Sequence, residues 1–131
     1  MAVTLDHSEG NTLDFSGDSS PAKGVTSWAS LDAGAGSYFQ YVNIQFDLAF
    51  AAGIDGDATI KRRISADSGT TDSDTNIDIQ DITYNAGGSV KVTIQIQLFN
   101  YLDLGIYNGT DTEAELTITS VKWEGLKVTD S

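Results

Sequence analysis

The stretch YVNIQFDLAF, residues 41–50, alternates apolar and polar side chains along its whole length. Successive side chains of a β-strand point to opposite faces of the sheet, so this period of two gathers the apolar residues on one face. The face that we predict to be buried consists of Val42, Ile44, Phe46, Leu48 and Phe50. The polar residues between them face water, which is typical of an antiparallel sheet with one solvent-exposed face.

The same period recurs through the rest of the chain, most clearly in SVKVTIQIQLF, residues 89–99. No window keeps the apolar spacing of a helix over three turns. Shorter strand candidates are VTLD (3–6), GVTSWASLD (24–32), ATIKRRISA (58–66), NIDIQDITY (76–84), YLDLGIYN (101–108), AELTITSVKW (114–123) and GLKVTD (125–130). We predict an all-β, single-domain antiparallel β-sandwich of jelly-roll type with eight or nine strands. An immunoglobulin-like sandwich is the alternative, although the chain lacks the paired cysteines that would support it.

Two of these runs change phase. In NIDIQDITY one extra residue near Gln80 or Asp81 would explain the change as a β-bulge. AELTITSVKW slips between Ile118 and Val121. In ATIKRRISA, Arg62 falls on the apolar side, opposite to its two basic neighbours. We expect its guanidinium to lie at the edge of the core or to meet a carboxylate, because a charged group is costly to bury alone.

The length of 131 residues fits one domain. We expect residues 38–131 to form its main body and residues 1–37, rich in Ser, Gly and Asp, to form a loop-rich N-terminal arm with the first strands. No apolar run is long enough to cross a membrane, and the N-terminus lacks the basic start and apolar stretch of a signal peptide. We therefore expect synthesis in the cytoplasm.

Charge and composition exclude several classes of function. Nineteen acidic residues against seven basic ones give a formal net charge of −12. Such a surface repels phosphate backbones and anionic lipid, so we expect neither a nucleic acid nor a membrane as a partner. The chain has no cysteine, which excludes thiolate chemistry. Its single histidine, His7, has no nucleophile-elbow sequence near it, and we expect no enzymatic activity.

The stretch RRISADSGTTDSDTNID, residues 62–78, carries four aspartates between two strand candidates. The interpretation that we favour is a hydrated connector in which Asp and Ser bond to nearby backbone groups. The alternative is a calcium site with Asp67, Asp72 and Asp74 as oxygen ligands. It would not be a helix–loop–helix site, because isoleucine and threonine occupy the positions that require glycine and glutamate.

Aromatic side chains on a polar face are candidates for contact with a glycan or with a protein partner. By alternation, Phe39 and Tyr41 fall on the polar side of their strand, and Phe99 falls on the polar side of its own. Trp28 is a further candidate. Such rings can stack on sugars, pack under a neighbouring subunit, or cover the back of a sheet.

Two turns and the strands around them resemble a group of small tailed-phage virion proteins. The matching turns are SADSG (65–69) and YNGT (107–110), in a layout that spans residues 38–123. The resemblance implies a non-enzymatic jelly-roll component of a particle, such as a head decoration, fibre-base or tail accessory protein. It also implies a homo-oligomer, with a trimer favoured, that contacts other virion proteins and is located in the virion.

The function predicted from the sequence is therefore that of a virion structural component that acts through protein–protein contacts. The alternative is a carbohydrate-binding β-sandwich module, with Trp28, Phe39 or Tyr41 as stacking rings and calcium as an assisting ion. In neither case do we expect another cofactor.

Overall fold

The structure is a computed structural model that describes residues 2–15, 19–34, 36–63, 76–110 and 116–130, without the side chains of residues 76, 98 and 99. Within these ranges the regular structure consists of β-strands in two four-stranded antiparallel sheets. The strands are β1 (Val3–Thr12), β2 (Thr26–Asp32), β3 (Ser37–Phe50), β4 (Ala58–Arg63), β5 (Asn76–Ile82), β6 (Ser89–Phe99), β7 (Tyr101–Asn108) and β8 (Leu116–Asp130). No helix among the described residues has the length and apolar character that crossing a membrane requires.

The first sheet has the strand order β1-β8-β3-β6, and the second has the order β2-β7-β4-β5. The first half of the chain therefore pairs with the second half in a nested way: β1 with β8, β2 with β7, β3 with β6 and β4 with β5. The prediction of an all-β antiparallel sandwich is confirmed. The nested pairing is consistent with the two Greek keys of the jelly-roll type that we predict.

The core lies between the two sheets, and β3 supplies its centre. The five apolar residues predicted from the alternation of β3 are all buried, and four of them are fully so: Val42, Ile44, Phe46 and Leu48. The second sheet covers them with side chains that include Ile60, Leu104, Ile106 and Ile82. Full burial of one such side chain stabilises the fold by about 1.5–3 kcal/mol relative to exposure, so this row holds the two sheets together.

The N-terminal region contributes two strands to the sandwich. The candidates VTLD and GVTSWASLD become β1 and β2. β1 continues to Thr12 and pairs along β8, although the sequence from residue 7 onward looks loop-like. His7, expected near a loose terminus, therefore sits within a paired strand opposite Leu126.

Both phase changes expected from the sequence are present as shifts in the strand register. Pairing of β4 with β5 skips Ile79, next to the predicted position at Gln80, so the bulge in this strand is confirmed one residue earlier. Pairing of β3 with β8 skips Thr119, which accounts for the slip between Ile118 and Val121. Both shifts keep apolar side chains turned inward on either side of the irregularity.

A third bulge was not predicted, and it corrects the placement of Phe39. Pairing of β3 with β8 skips Gln40, so the alternation changes phase there. Phe39 is 4% exposed and belongs to the core, not to the polar side of its strand. Its ring meets the ring of Trp123 edge-on, with 5.5 Å between the centroids. Tyr41, beyond the bulge, keeps the predicted outward direction, since it pairs with Gln97 and Leu126 while Val42 beside it is buried.

Arg62 lies at the edge of the core, as expected. Its neighbours Lys61 and Arg63 point to the opposite face, where they form ion pairs. Arg62 is half-buried and lines a groove between β5 and β6 together with Ile77, Ile79 and Ile96.

Truncating a buried valine of β3 tests this account of the core. Val42→Ala should destabilise the protein by about 1.5–3 kcal/mol, because it removes two methyl groups from a fully buried position and leaves a cavity. Val25→Ala, at a residue that is 44% exposed, should change the free energy of unfolding by less than about 0.5 kcal/mol. Urea unfolding of both variants measures the difference, and equal effects would contradict the assigned faces.

Candidate functional site

The outer face of the first sheet is built in rows that cross the strands. Residues directly opposite each other in an antiparallel pair turn their side chains to the same face. Three successive rows are Leu5–Val128–Tyr38, His7–Leu126–Tyr41–Gln97 and Glu124–Asn43–Gln95. The face therefore changes from apolar at one end to polar towards its middle.

Four polar side chains form a hydrogen-bonded chain across β8, β3 and β6, which we name the amide strip: Glu124, Asn43, Gln95 and Gln97. Asn43 Nδ2 donates to Glu124 Oε1 at 2.9 Å, and Gln95 Nε2 donates to Asn43 Oδ1 at 2.9 Å. Gln97 Nε2 donates to Gln95 Oε1 at 3.4 Å. Every amide thus donates towards Glu124, since an ionised carboxylate can only accept.

The carboxamides of the strip have more hydrogen-bonding groups than the strip itself uses, and a ligand could bind to the others. A carboxamide has two N–H groups and two acceptor lone pairs, and each bond of the strip uses one of each. Each carboxamide therefore keeps a second N–H group and a second lone pair outside the bonds of the strip, on the outer face of the sheet. His7 Nε2 lies 3.9 Å from Glu124 Oε2, at the β1 side of the strip.

A shallow groove of about 340 Å³ lies on this face beside the strip. Its lining includes Asn43 and Glu124 from the strip, with Gln45, Thr93 and Lys122 from the next row. Lys122 and Glu124 sit two residues apart on β8, so the groove carries both signs of charge. It therefore offers donors, acceptors and charges within reach of one small ligand.

Two tyrosines stand at the apolar end of the face. Tyr38 is 39% exposed and Tyr41 is half-buried. The ring of Tyr41 has the imidazole of His7 at 6.5 Å between centroids, with the planes tilted by 41°. Aromatic rings and an ordered polar strip therefore share one surface.

The outer face of the second sheet is organised differently, around a buried carboxylate. Asp103 is 2% exposed. It accepts from Ser30 Oγ and pairs with Arg63, whose Nη2 lies 3.0 Å from Asp103 Oδ2. The guanidinium of Arg63 stacks over the indole of Trp28, with 4.0 Å from Cζ to the centroid.

The neighbouring row repeats this arrangement. Lys61 pairs with Asp78 at 3.1 Å and lies over the ring of Tyr107 at 4.8 Å. Gly105 lies between Trp28 and Lys61 in the strand register, and a Cβ there would come within 2.8 Å of the Trp28 ring. We name these two ion pairs and the rings beneath their cations the ion-pair layer: Arg63, Asp103, Lys61, Asp78, Trp28 and Tyr107. The rings of Trp28 and Tyr107 each carry a cation on one side, and each cation is neutralised by a carboxylate.

Tyr101 closes the end of the ion-pair layer. Its hydroxyl donates to Ser30 Oγ at 3.1 Å. This hydrogen bond lowers the pKa of Tyr101, but burial and the Asp103 carboxylate outweigh it, so the pKa is raised. The tyrosine stays neutral and acts as a donor in the layer.

The structure places the residues singled out from the sequence on different surfaces. Tyr41 lies beside the amide strip, whereas Trp28 lies on the other sheet under Arg63. Phe39 is in the core, and the side chain of Phe99 is not described. The predicted contact residues therefore do not form one site.

The calcium candidates Asp67, Asp72 and Asp74 lie outside the described residues. Within the described ranges, no group of three or more His, Asp or Glu side chains is arranged to hold a metal ion.

The residues that sequence reasoning missed are those of the amide strip. Alternation places Asn43, Gln95 and Gln97 on a polar face, which was a usable signal for exposure. It could not show that β3 and β6 are neighbours, nor that Glu124 on β8 completes the chain of hydrogen bonds. Only strand pairing brings these side chains together.

No protein-family model and no curated protein sequence matches the chain. Among solved structures, the chain is similar to an X-ray crystal structure of chitosan-binding module 1 from a chitosanase/glucanase of Paenibacillus sp. IK-5. The identity is 21%, the match covers 93% of this chain and 92% of that one, and the TM-score is 0.41.

The ion-pair layer makes a prediction about stability. Asp103→Asn should destabilise the protein by about 3–5 kcal/mol, because it leaves the guanidinium of Arg63 without its counter-charge in a largely buried setting. Asp78→Asn is the matched control, since Asp78 has a 67% exposed side chain. Its loss should cost less than about 1 kcal/mol. Thermal or urea unfolding of the two variants gives the comparison, and similar losses would show that the pairs are equivalent.

Proposed function

We propose that this chain is a non-catalytic carbohydrate-binding module whose ligand lies on the outer face of the first sheet. The observation that carries the proposal is the amide strip beside Tyr38 and Tyr41. Sugar rings combine hydroxyl groups, which both donate and accept, with apolar C–H faces. A surface that joins oriented carboxamides to aromatic rings complements both features.

The hydrogen bonds within the strip lower the entropy cost of binding a ligand. Asn43 and Gln95 are held by hydrogen bonds before any ligand arrives. A ligand then immobilises fewer rotatable side chains, and less conformational entropy is lost on binding. The strip crosses β8, β3 and β6, so a glycan chain that follows it runs across the strands.

Charge narrows the class of glycan. The net charge of −12 repels polyuronic and sulfated chains at a distance. Within the groove, the carboxylate of Glu124 is an acceptor for hydroxyl or ammonium groups. We therefore expect neutral or amine-bearing glycans to bind better than anionic ones.

Single substitutions on the face test the proposal. Gln95→Ala and Tyr41→Ala should each weaken binding to a neutral or amine-bearing oligosaccharide by roughly 5- to 30-fold, since each removes a contact of about 1–2 kcal/mol. Gln80→Ala and Tyr84→Ala are matched controls at exposed residues away from this face. They should leave affinity unchanged in calorimetric titration or affinity electrophoresis.

Several outcomes would contradict the proposal. Binding that survives both test variants would place the ligand elsewhere, and turnover of any glycan would refute the non-catalytic assignment. The assistance by calcium is tested by repeating the titration with a chelator and with the aspartates at 67, 72 and 74 changed to asparagine.

A second candidate function is the virion structural component predicted from the sequence. The observation that favours it is the exposed apolar end of the first sheet, where Val3 and Leu5 are 61% and 64% exposed. Exposed apolar residues grouped in this way are typical of protein interfaces. This function would be supported over the first if the chain associates with other particle proteins, if added glycans do not change that association, and if Gln95→Ala leaves it intact.

A further inference from the structure

We infer that β1 is a self-association edge, through which two copies pair antiparallel about Leu5 and join their first sheets into one eight-stranded sheet. The inference about pairing is independent of the proposed function. Its consequence for ligand binding rests on that function.

The first support is that β1 is an accessible edge. It is the outermost strand of the first sheet and pairs with β8 on its other side. Natural edge strands are commonly protected by proline, by charged side chains, especially lysine, or by bulges. Asp6 is the only acidic residue in Val3–Ser8, and it lies opposite Lys127 of β8. The strand sequence VTLDHSEGNT contains neither proline nor lysine, and its irregularity falls only after Ser8. The segment Val3–Ser8 is therefore a regular edge that can accept another strand.

The second support is the exposed apolar surface along this segment. Val3, Leu5 and Tyr38 are three of the five large apolar side chains that are exposed in the described part of the chain. Leu5 and Tyr38 flank Val128, which is 5% exposed although it lies on the outer face. Pairing at this edge would bury Val3 and Leu5, the two most exposed of them.

The third support is that a second copy can pair at this edge without placing like charges directly opposite each other. An antiparallel pair centred on Leu5 sets Leu5 opposite Leu5, Val3 opposite His7, and Thr4 opposite Asp6. No like charges meet in this register, whereas centring on Asp6 would bring two carboxylates together. Within one copy, Asp6 already faces Lys127 on β8. Lys127 therefore offsets the charge of Asp6 at this edge, although the chain as a whole carries a net charge of −12.

The pairing has a geometric consequence. Opposed residues of an antiparallel pair turn their side chains to the same face, so the outer faces of both copies point in the same direction. The two amide strips then lie on one side of a continuous sheet. A dimer of this kind would bind a polysaccharide surface through two sites and gain avidity over a single copy.

Sedimentation velocity over a range from micromolar to near-millimolar protein tests the pairing. The unmodified chain should form dimers, and Leu5→Lys should weaken dimerisation at least tenfold by placing a charge at the centre of the interface. Val25→Lys is the matched control, at an apolar residue that is 44% exposed and not on β1, and it should dimerise like the unmodified chain. Added sodium chloride should strengthen the dimer, because it screens repulsion between two strongly acidic copies.

Hydrogen exchange of the unmodified chain provides a second readout that does not depend on how the variant folds. Amides in Val3–His7 should exchange more slowly as protein concentration rises. A monomer at every concentration, or an oligomer that Leu5→Lys leaves intact, would overturn the inference. Leu5→Lys should still bind a short oligosaccharide but lose retention on an insoluble glycan. If no glycan binds while the dimer forms, the proposed function fails and the edge pairing stands.

Discussion

The alternation of side chains along β3 is the constraint on which the rest of the structure depends. β3 lies between β8 and β6 and makes backbone hydrogen bonds to both. Its inward residues form the centre of the core, and its outward residues lie on the opposite face of the sheet. The strand that stabilises the sandwich therefore also presents Asn43 and Gln45 on the outer face. Core and candidate site are two faces of one β-strand, because successive side chains of a strand point to opposite faces of the sheet.

The two outer faces show how differently a sheet can use polar residues. On the second sheet, Asp103 neutralises Arg63, and Arg63 in turn covers the indole of Trp28. The charges neutralise one another in a largely buried setting, where a missing counter-charge would be costly, although Arg63 Nε has no hydrogen-bond partner among the described residues. On the first sheet, Glu124 accepts from a chain of carboxamides whose remaining donors and acceptors lie on the outer face. The first arrangement serves stability, and the second is suited to recognition.

β-Bulges decide which of these surfaces a residue joins. The shift at Gln40 moves Phe39 into the core and leaves Tyr41 on the outer face. Strict alternation would place these two residues on the same face, because they lie two positions apart. The shift at Ile79 was visible in the sequence, because apolar residues continue in a new phase beyond it. The shift at Gln40 was not visible, because the aromatic residues around it suit either face. A bulge is readable from sequence only when the pattern on both sides is unambiguous.

The sequence by itself determined the all-β class, the inward row of β3, the outward direction of Asn43 and Gln95, and the place of Arg62 at the edge of the core. Each of these follows from local periodicity and from the cost of burying a charge. Only the tertiary structure decided that Glu124 meets Asn43, 81 positions away, and that Arg63 stacks over Trp28. Contacts of this kind depend on which strands become neighbours. That choice is made by closing long loops around a shared core, and local sequence does not encode it.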